Sequence, residues 1–543
     1  MDKEKAELTE KISRKTSDED KDNKKNFVMH LTNLKNKGIS RLFFSRFALI
    51  VLLLLIQVFF WLSLFVWLQE YLPYYTAFQI AFVLATSIYL FNSNMDSSAK
   101  LTWLMVIALL PFFGALFFVF TKSNIGQRKI TKRALKLIEE SKKYISQDET
   151  TLQQLQNNSS SIVQLNRYLC RSGKFPVFSG TKVKYFSCGE DKFSSMLEEL
   201  EKAQKFIFLE YFIIEEGYMW GRILDILSRK AKEGVDVRVM YDGLCELALL
   251  PHDYPKMLQK LGIKAKMFAP ITPFVSTHYN YRDHRKILVI DGSVAFNGGV
   301  NLADEYINKK NKYGHWKDTA VMLQGKAVKS FTLMFLQMWN LTETKPDFDT
   351  KFLQSPDIQN AQGIVMPFAD CPLDEDKVGE TIYMDILYRA KKYVHIMTPY
   401  LILDGELETA LKYAAQRGVD VKIILPGIPD KKSAYALAKS HYKYLTEAGV
   451  KIYEYVPGFV HAKVFVSDDF RAVVGTINLD YRSLYHHFEC ATYLYKAPCI
   501  KDIEEDFIDT LNKSKLVTFE TIKKEKLFYK ISGKLLKIIA PLM

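Results

Sequence analysis

Cysteine is scarce in this chain, and its few copies are scattered. No C-x-x-C pair and no metal-ligand spacing occurs among the six, which are Cys170, Cys188, Cys245, Cys371, Cys490 and Cys499. The pattern therefore indicates neither a cysteine metal site nor a disulfide framework. It is typical of a reduced compartment or of inert thiols.

Acidic residues are in deficit as well. The 543 residues include 61 Asp and Glu against 74 Lys and Arg, a formal net charge of +13. Such an excess favours an anionic partner, and both nucleic acid and acidic lipid meet that requirement. The length also exceeds that of one typical domain.

Long apolar runs are confined to one region near the N-terminus. Residues 1–45 contain little apolar sequence and are predicted to form a basic, disordered tail. Region 46–120 carries apolar runs at 47–68, 72–91 and 101–120. Each is about long enough, at 1.5 Å per residue, to cross a hydrocarbon core of about 30 Å, so two or three transmembrane helices are predicted. All lie too far inside the chain for a cleavable signal peptide, and membrane spans argue against a nucleic-acid partner.

Basic segments flank this region on both sides. The positive-inside rule would place the N-terminal tail and residues 122–143 both in the cytoplasm, which three spans cannot do. Either one run is re-entrant or interfacial, or one basic flank is translocated. Residues 121–171 have helical apolar spacing among charges, which predicts a linker or amphipathic helix.

A repeated motif is the most informative feature of the chain. The segment HRKILVIDGSVAFNGGVN returns 177 positions later as HAKVFVSDDFRAVVGTIN. Each copy reads H-x-K-x4-D-x6-G-x2-N, with His284, Lys286, Asp291, Gly298 and Asn301 in the first and His461, Lys463, Asp468, Gly475 and Asn478 in the second. Two such matches make coincidence remote, so we interpret them as two halves of one site.

The residue types in the motif suit phosphodiester chemistry. One imidazole can act as nucleophile and another as general acid and base, and two Lys and two Asn side chains can bind a phosphoryl oxyanion. This chemistry requires no metal or other cofactor. On a strand, His and Lys two residues apart point to the same face. The aspartates lie seven residues from the histidines, on the opposite face, and are expected to have a structural or cross-lobe role although they belong to the catalytic motif.

The repeat extends beyond the motifs. GVDVRVMYDG at 234–243 parallels GVDVKIILPG at 418–427, and apolar strands alternate with helical runs in both halves. This alternation predicts an α/β fold with two sandwich lobes, mostly parallel central strands and pseudo-twofold symmetry. The expected bounds are 172–345 for lobe 1, 346–375 for a linker and 376–543 for lobe 2.

These motifs resemble the phospholipase D superfamily, and within it the bacterial cardiolipin synthases. The closer likeness lies in NYRDHRKI (280–287), GGVNLADEYI (298–307), HWKDT (315–319) and NLDYRS (478–483), followed by Phe-Glu at Glu489. The resemblance implies that His284 attacks the phosphorus of phosphatidylglycerol and releases glycerol, with His461 as acid and base. A second phosphatidylglycerol then takes the phosphatidyl group, giving cardiolipin. It also implies a multi-pass protein of the bacterial plasma membrane whose catalytic region faces the cytoplasm.

The resemblance suggests roles for further residues. Asp318 and Glu489 are the candidates for orienting the histidines, and Arg282 for contacting a lipid phosphate beside Asn301 and Asn478. Residues 271–282 are an insertion next to the first motif that could shape the mouth of the site. The alternatives are a related phosphodiesterase or transphosphatidylase that uses water or another alcohol, and a non-catalytic membrane scaffold.

The C-terminal segment interleaves lysines with apolar residues. The sequence KKEKLFYKISGKLLKIIAPLM at 523–543 fits a basic amphipathic helix on an anionic membrane surface. It fits equally a helix that packs on lobe 2 with a solvated lysine face.

Overall fold

The computed structural model describes residues 69–122, 128–158, 160–173, 175–270 and 281–542, and five separate positions between 55 and 63. The predicted tail at 1–45 lies outside the described residues, and so does the loop at 271–280. The first apolar run, at 47–68, lies outside them except for those five positions.

Three apolar helices occupy the described part of the predicted membrane region: α1 (Leu72–Phe91), α2 (Ser97–Leu109) and α3 (Pro111–Lys122). Among the described residues, α1 alone is long and apolar enough to cross a membrane. The apolar run at 101–120 is not one helix, because α2 ends at Leu109 and α3 begins at Pro111, and the number of spans stays a prediction. Proline favours a helix start, having no N–H for an internal bond. The run turns there so sharply that a Cβ on Gly114 would lie 2.7 Å from the Val106 carbonyl oxygen.

The segment predicted as a linker or amphipathic helix forms three short helices. They are α4 (Arg128–Ser141), α5 (Glu149–Asn158) and α6 (Ser160–Tyr168). Helix α4 is amphipathic, and Leu137 on its apolar face is fully buried in the core. Gln337 donates a 2.7 Å hydrogen bond to Ser141, which joins α4 to lobe 1.

Lobe 1 is built around a seven-stranded sheet in the order β1-β9-β7-β6-β2-β3-β4. Its strands are β1 (Thr181–Phe186), β2 (Phe206–Tyr211), β3 (Asp236–Asp242), β4 (Lys264–Phe268), β6 (Lys286–Ile290), β7 (Val294–Gly298) and β9 (Ala320–Gly325), with short β5 (Arg282–Asp283) and β8 (His315–Lys317) outside it. Its helices are α7 (Gly189–Glu201), α8 (Tyr218–Lys232), α9 (Cys245–Ala248), α10 (Tyr254–Lys260) and α11 (Val328–Trp339).

Lobe 2 repeats this order as β10-β17-β16-β15-β11-β12-β13, with β18 added at the end. Its strands are β10 (Ile364–Asp370), β11 (Tyr393–Met397), β12 (Asp420–Pro426), β13 (Lys451–Tyr455), β14 (Gly458–Val460), β15 (Val464–Ser467), β16 (Arg471–Gly475), β17 (His487–Tyr495) and β18 (Ser514–Leu516). Its helices are α12 (Val378–Arg389), α13 (Gly405–Gln416), α14 (Lys432–Glu447), α15 (Tyr481–Tyr485), α16 (Ile500–Asn512), α17 (Phe519–Lys524) and α18 (Leu527–Ile539).

The two lobes therefore share one topology, as predicted, but two details differ from expectation. The central strands are not mostly parallel: β2, β3 and β4 pair parallel, whereas β2-β6, β6-β7, β7-β9 and β9-β1 are antiparallel. A short turn joins β6 to β7, and such a hairpin permits only antiparallel pairing. The expected linker at 346–375 also contains β10, which pairs with β17 along its whole length, so lobe 2 begins earlier than predicted.

The lobes are joined by backbone pairing and a common core. Strand β8 of lobe 1 pairs with β14 of lobe 2, and β5 pairs with β17. One hydrophobic cluster contains Phe331 and Val289 of lobe 1 together with Val464 and Phe507 of lobe 2. This interface brings the two motif strands, β6 and β15, toward each other.

Candidate active site

The first motif histidine is held by a carboxylate of the other lobe. His284 Nδ1 lies 2.8 Å and 3.0 Å from the two carboxylate oxygens of Glu489. Thr476 donates a short hydrogen bond from its hydroxyl to Glu489 Oε2. Burial alone would raise the pKa of Glu489, but its contact and hydrogen bond with His284 lower that pKa below its usual range, and burial lowers the pKa of His284, which favours the neutral imidazole. An ionised carboxylate accepts the Nδ1 hydrogen and leaves His284 Nε2 with a free lone pair.

The second motif histidine has the reciprocal arrangement. His461 Nδ1 lies 2.6 Å from Asp318 Oδ2, and both side chains are buried. The Thr319 amide donates a 2.8 Å hydrogen bond to Asp318 Oδ1. Burial and the neighbouring charge of Lys463 lower the pKa of His461 to about 4.

Backbone pairing between the lobes produces both contacts. The His284 amide donates to the Phe488 carbonyl (3.0 Å), and the His461 amide donates to the Lys317 carbonyl (2.7 Å). Phe488 and Lys317 directly precede the two orienting carboxylates in the sequence. Each histidine thus lies beside the carboxylate of the opposite lobe, because these backbone hydrogen bonds align the two segments.

The motif lysines are buried beside the histidines. Lys286 Nζ donates to the His284 carbonyl oxygen over 2.5 Å, and Lys463 Nζ donates to that of His461. Burial lowers the pKa of Lys286 to about 8 and that of Lys463 to about 7. Desolvated ammonium groups attract an anion more strongly than solvated ones, so the site is suited to a phosphate.

Aromatic rings line both histidines. The Phe212 ring centroid lies 4.9 Å from that of His284, and the Tyr306 and Trp316 centroids lie 5.4 Å and 5.3 Å from that of His461. These rings keep water away from the imidazoles. Water exclusion strengthens the electrostatic contacts within the site.

The two motif asparagines are in different environments. Asn301 is bonded at both ends of its amide, accepting from the Ile213 amide (3.1 Å) and donating to the Tyr306 hydroxyl (2.8 Å). Asn478 is also buried, but its Oδ1 has no hydrogen-bond partner within the described ranges. The geometry therefore gives Asn301 a positioning role in lobe 1, and a phosphate contact stays a prediction for both residues.

The motif aspartates lie at the opposite end of each strand from the histidine. Asp291 accepts hydrogen bonds of 2.7 to 2.8 Å from the amides of residues 204–206, and Asp468 accepts from those of residues 391–393. Both have φ near +55°, a conformation that aspartate tolerates in a turn. Their assignment to the catalytic set is corrected, because each ties the motif turn to the start of a neighbouring strand.

Arg282 is also placed differently from the prediction. Its side chain is buried, and Nη1 donates to Asp242 Oδ1 (3.2 Å) and to the Ala269 carbonyl (2.9 Å). Burial raises the pKa of Asp242 to about 7, although the charge of Arg282 opposes that shift. A buried ion pair of this kind anchors β5, and a contact of Arg282 with lipid phosphate stays a prediction.

Two residues of the site were not predicted from the sequence. His487 is buried, and its ring centroid lies 5.2 Å from that of His284. Lys192, in α7, donates to the Tyr211 hydroxyl and the Val300 carbonyl (both 3.2 Å), and burial lowers its pKa to about 7. The sequence contained a signal for each residue. His487 belongs to a His-His pair shortly before Glu489, and Lys192 lies on the apolar face of α7 with Phe193 and Met196.

Two groups of side chains place possible metal-ligating atoms close together. Within the described residues, ligand atoms of His284, His487 and Glu489 lie within 4.8 Å of one another, and those of Glu380, Asp404 and Glu406 do so as well. The first group belongs to the histidine site, where His284 Nδ1 and the Glu489 carboxylate oxygens already form a hydrogen bond with each other. That the reaction needs no metal therefore stays a prediction.

Comparison with known families covers both lobes and the apolar region. Residues 196–339 and 383–511 match the model described as "Cardiolipin synthase, PLD-like domain". Residues 80–122 match "Phospholipase_D-nuclease N-terminal". The two motifs, helices α2 and α3 and the second half of α1 thus fall inside the matched segments.

Individual relatives and a solved structure agree. A Streptococcus mutans protein described as uncharacterized is 57% identical over 461 residues, covering 85% of this chain and 100% of that protein. Cardiolipin synthases of Alkalihalophilus pseudofirmus (33%; 85% and 92% coverage) and Geobacillus sp. strain WCH70 (34%; 86% and 91%) are similar throughout. The crystal structure of Haemophilus influenzae phosphatidylserine synthase matches with a TM-score of 0.53 at 15% identity, covering 70% of this chain and 98% of that one, which supports the fold.

Proposed function

The chain belongs to the cardiolipin synthase family with duplicated phospholipase D-like domains, and we propose that it makes cardiolipin and glycerol from two molecules of phosphatidylglycerol. The observation that carries the proposal is the crossed pair of imidazole–carboxylate contacts, His284 with Glu489 and His461 with Asp318. Two oriented imidazoles facing one site can divide a double displacement at phosphorus between them.

The first half-reaction uses His284 as nucleophile. Its Nε2 lone pair attacks phosphorus and the bond to the glycerol oxygen breaks, while His461 gives a proton to the departing alkoxide. Burial disfavours the protonated form of His461, and the negative charge of a phosphodiester would favour it. The products of this step are a phosphatidyl-histidine and glycerol.

The second half-reaction reverses the roles. A hydroxyl of the second phosphatidylglycerol attacks phosphorus as its proton passes to His461 Nε2, and the bond to His284 breaks. Lys286 and Lys463 stabilise the negative charge that develops on the phosphoryl oxygens in both steps. The histidines return to their initial states.

A membrane location follows from the family and from the apolar helices. We propose that the protein is multi-pass, with the run at 47–68 and α1 as spans and the broken run at 97–122 as a re-entrant segment. Two spans place both basic flanks on one side of the membrane, as the positive-inside rule requires. The catalytic lobes then face the cytoplasm.

The C-terminal helix supports a second contact with lipid. Helix α18 packs on α14 through Gly533, where a Cβ would lie 2.4 Å from the Ala436 carbonyl oxygen. Its other face leaves Leu527, Phe528 and Leu535 more than 60% exposed beside lysines. Both sequence interpretations therefore apply to different faces, and we propose that the exposed one binds an anionic membrane surface.

A lipid assay tests the proposed reaction. Purified protein is incubated in liposomes with phosphatidylglycerol as the only phospholipid, with and without EDTA, and products are identified by mass spectrometry. We expect wild type to make cardiolipin and glycerol in equal amounts, both with and without EDTA. The His284→Ala variant should make neither. Phosphatidic acid without cardiolipin would indicate a hydrolase, and products unaffected by His284→Ala would contradict the mechanism.

A further inference from the structure

His487 is a buried polar side chain with unsatisfied nitrogens. It is 7% exposed, and within the part of the chain that the structure describes neither Nδ1 nor Nε2 has a hydrogen-bond partner. Leaving a buried polar group unpaired destabilises the protein. Such a group at a substrate site is expected to be satisfied by the ligand.

The position of His487 defines where that ligand lies. Its imidazole is tilted 39° to that of His284 at 5.2 Å between centroids, and Phe212 contacts both rings. His487 Nδ1 is 3.5 Å from Glu489 Oε1, the oxygen that accepts from His284 Nδ1. Both imidazoles thus turn Nδ1 toward one carboxylate, and with their ring centroids 5.2 Å apart a group bound at His487 Nε2 would lie close to one bound at His284.

The shared carboxylate also selects the chemistry of that partner. A carboxylate only accepts hydrogen bonds, so it favours the tautomer of His487 with hydrogen on Nδ1 and a lone pair on Nε2. Phosphodiester oxygens are acceptors and do not complement a lone pair. Among the groups of a phosphatidylglycerol headgroup, the hydroxyls alone can donate to it.

We propose that His487 binds a hydroxyl of the glycerol headgroup, accepting its hydrogen bond at Nε2 and holding the acceptor lipid against the phosphatidyl-histidine. The inference rests on the proposed function and deepens it, because it names the residue that selects a polyol lipid over water. The hydroxyl bound by His487 is the one that does not attack, so the attacking hydroxyl, whose proton passes to His461, has a fixed position relative to phosphorus. Water has no second group that His487 could hold.

The test measures how the intermediate partitions between two acceptors. Wild type and three variants are incubated with phosphatidylglycerol liposomes, and the ratio of cardiolipin to phosphatidic acid and the KM for phosphatidylglycerol are measured. His487→Phe keeps a ring against His284 but has no lone pair, His487→Gln restores an acceptor, and His486→Phe is the matched control at the neighbouring, half-buried histidine. Thermal unfolding of each variant checks the fold, and His487→Ala replaces the Phe variant if that one does not fold.

We expect the ratio of cardiolipin to phosphatidic acid to fall about tenfold or more in His487→Phe, with a higher KM. A tenfold change corresponds to about 1.4 kcal/mol, which is the size of one hydrogen bond to the acceptor. The Gln variant should recover part of the ratio, and the His486 control should match wild type. If wild type makes cardiolipin and a folded His487→Phe or His487→Ala variant keeps the same product ratio and KM, this inference is overturned and the proposed function is not. A wild type that releases only phosphatidic acid overturns the proposed function as well.

Discussion

His284 of the first lobe donates its Nδ1 hydrogen to Glu489 of the second lobe over 2.8 Å. The contact crosses the lobe interface, and the matching contact between His461 and Asp318 crosses it in the other direction. Neither lobe can therefore orient its own histidine. The duplicated motif forms a working site only when both lobes are folded and joined.

Removing the orienting carboxylates should reduce turnover without unfolding the protein. Glu489→Gln and Asp318→Asn keep size but lose the charge that fixes the imidazole tautomer, and a loss in kcat of about 100-fold or more is expected for each. Cardiolipin formation by mass spectrometry and thermal unfolding measure the two effects. The control is Glu505→Gln, an exposed carboxylate of lobe 2. Wild-type kcat in either variant would remove that carboxylate from the mechanism.

The covalent intermediate should form on the first histidine. In His461→Ala the acid and base is missing, so the phosphatidyl group should accumulate on His284 and turn over slowly. Peptide mapping by mass spectrometry after a brief incubation with phosphatidylglycerol locates the adduct. The double variant His284→Ala/His461→Ala should carry none. An adduct on any other residue would reverse or refute the assigned roles.

Activity should decline at alkaline pH through the lysines. Burial lowers the pKa of Lys286 to about 8 and of Lys463 to about 7, so raising pH through this window removes the positive charge that binds the phosphate. Above pH 8, kcat/KM should fall about tenfold or more per pH unit. Lys286→Arg keeps its charge throughout and should show a shallower decline. A flat profile to pH 10 in wild type would contradict this account.

Arg282 should matter for stability more than for lipid affinity. Arg282→Ala leaves Asp242 buried without its cation, which should cost about 3 to 5 kcal/mol in the free energy of unfolding. Thermal or denaturant unfolding measures this loss, and the exposed Arg222→Ala serves as control. A large rise in KM with normal stability would instead favour the phosphate contact predicted from the sequence.

The exposed face of α18 should contribute to membrane binding. Replacing Phe528 and Leu535 by Ser removes apolar area from that face without touching Gly533, and should weaken binding of the isolated lobes or the full chain to anionic liposomes several-fold. Flotation with phosphatidylglycerol vesicles measures the effect. Serine at Tyr388 and Tyr413, exposed aromatic residues of α12 and α13, is the matched control. Equal losses in both pairs would argue against a specific membrane face.

The sequence by itself determined the family, the α/β lobes and the residues on the motif strands. The apolar runs after each motif predict strands β6 and β15, and the duplication required two similar lobes, although His284 and His461 lie just before those strands. The break at Pro111 was also encoded locally, although the apolar composition of the run concealed it.

Only the tertiary structure decided which residues meet across the lobes. The pairing of β5 with β17 and of β8 with β14 depends on long-range packing, and it alone places Glu489 beside His284 and His487 beside both. The same packing buries Arg282 against Asp242 and lowers the pKa of the lysines through desolvation. Sequence spacing carries no information on such contacts, because they join residues from 40 positions apart (Arg282 and Asp242) to 205 positions apart (His284 and Glu489).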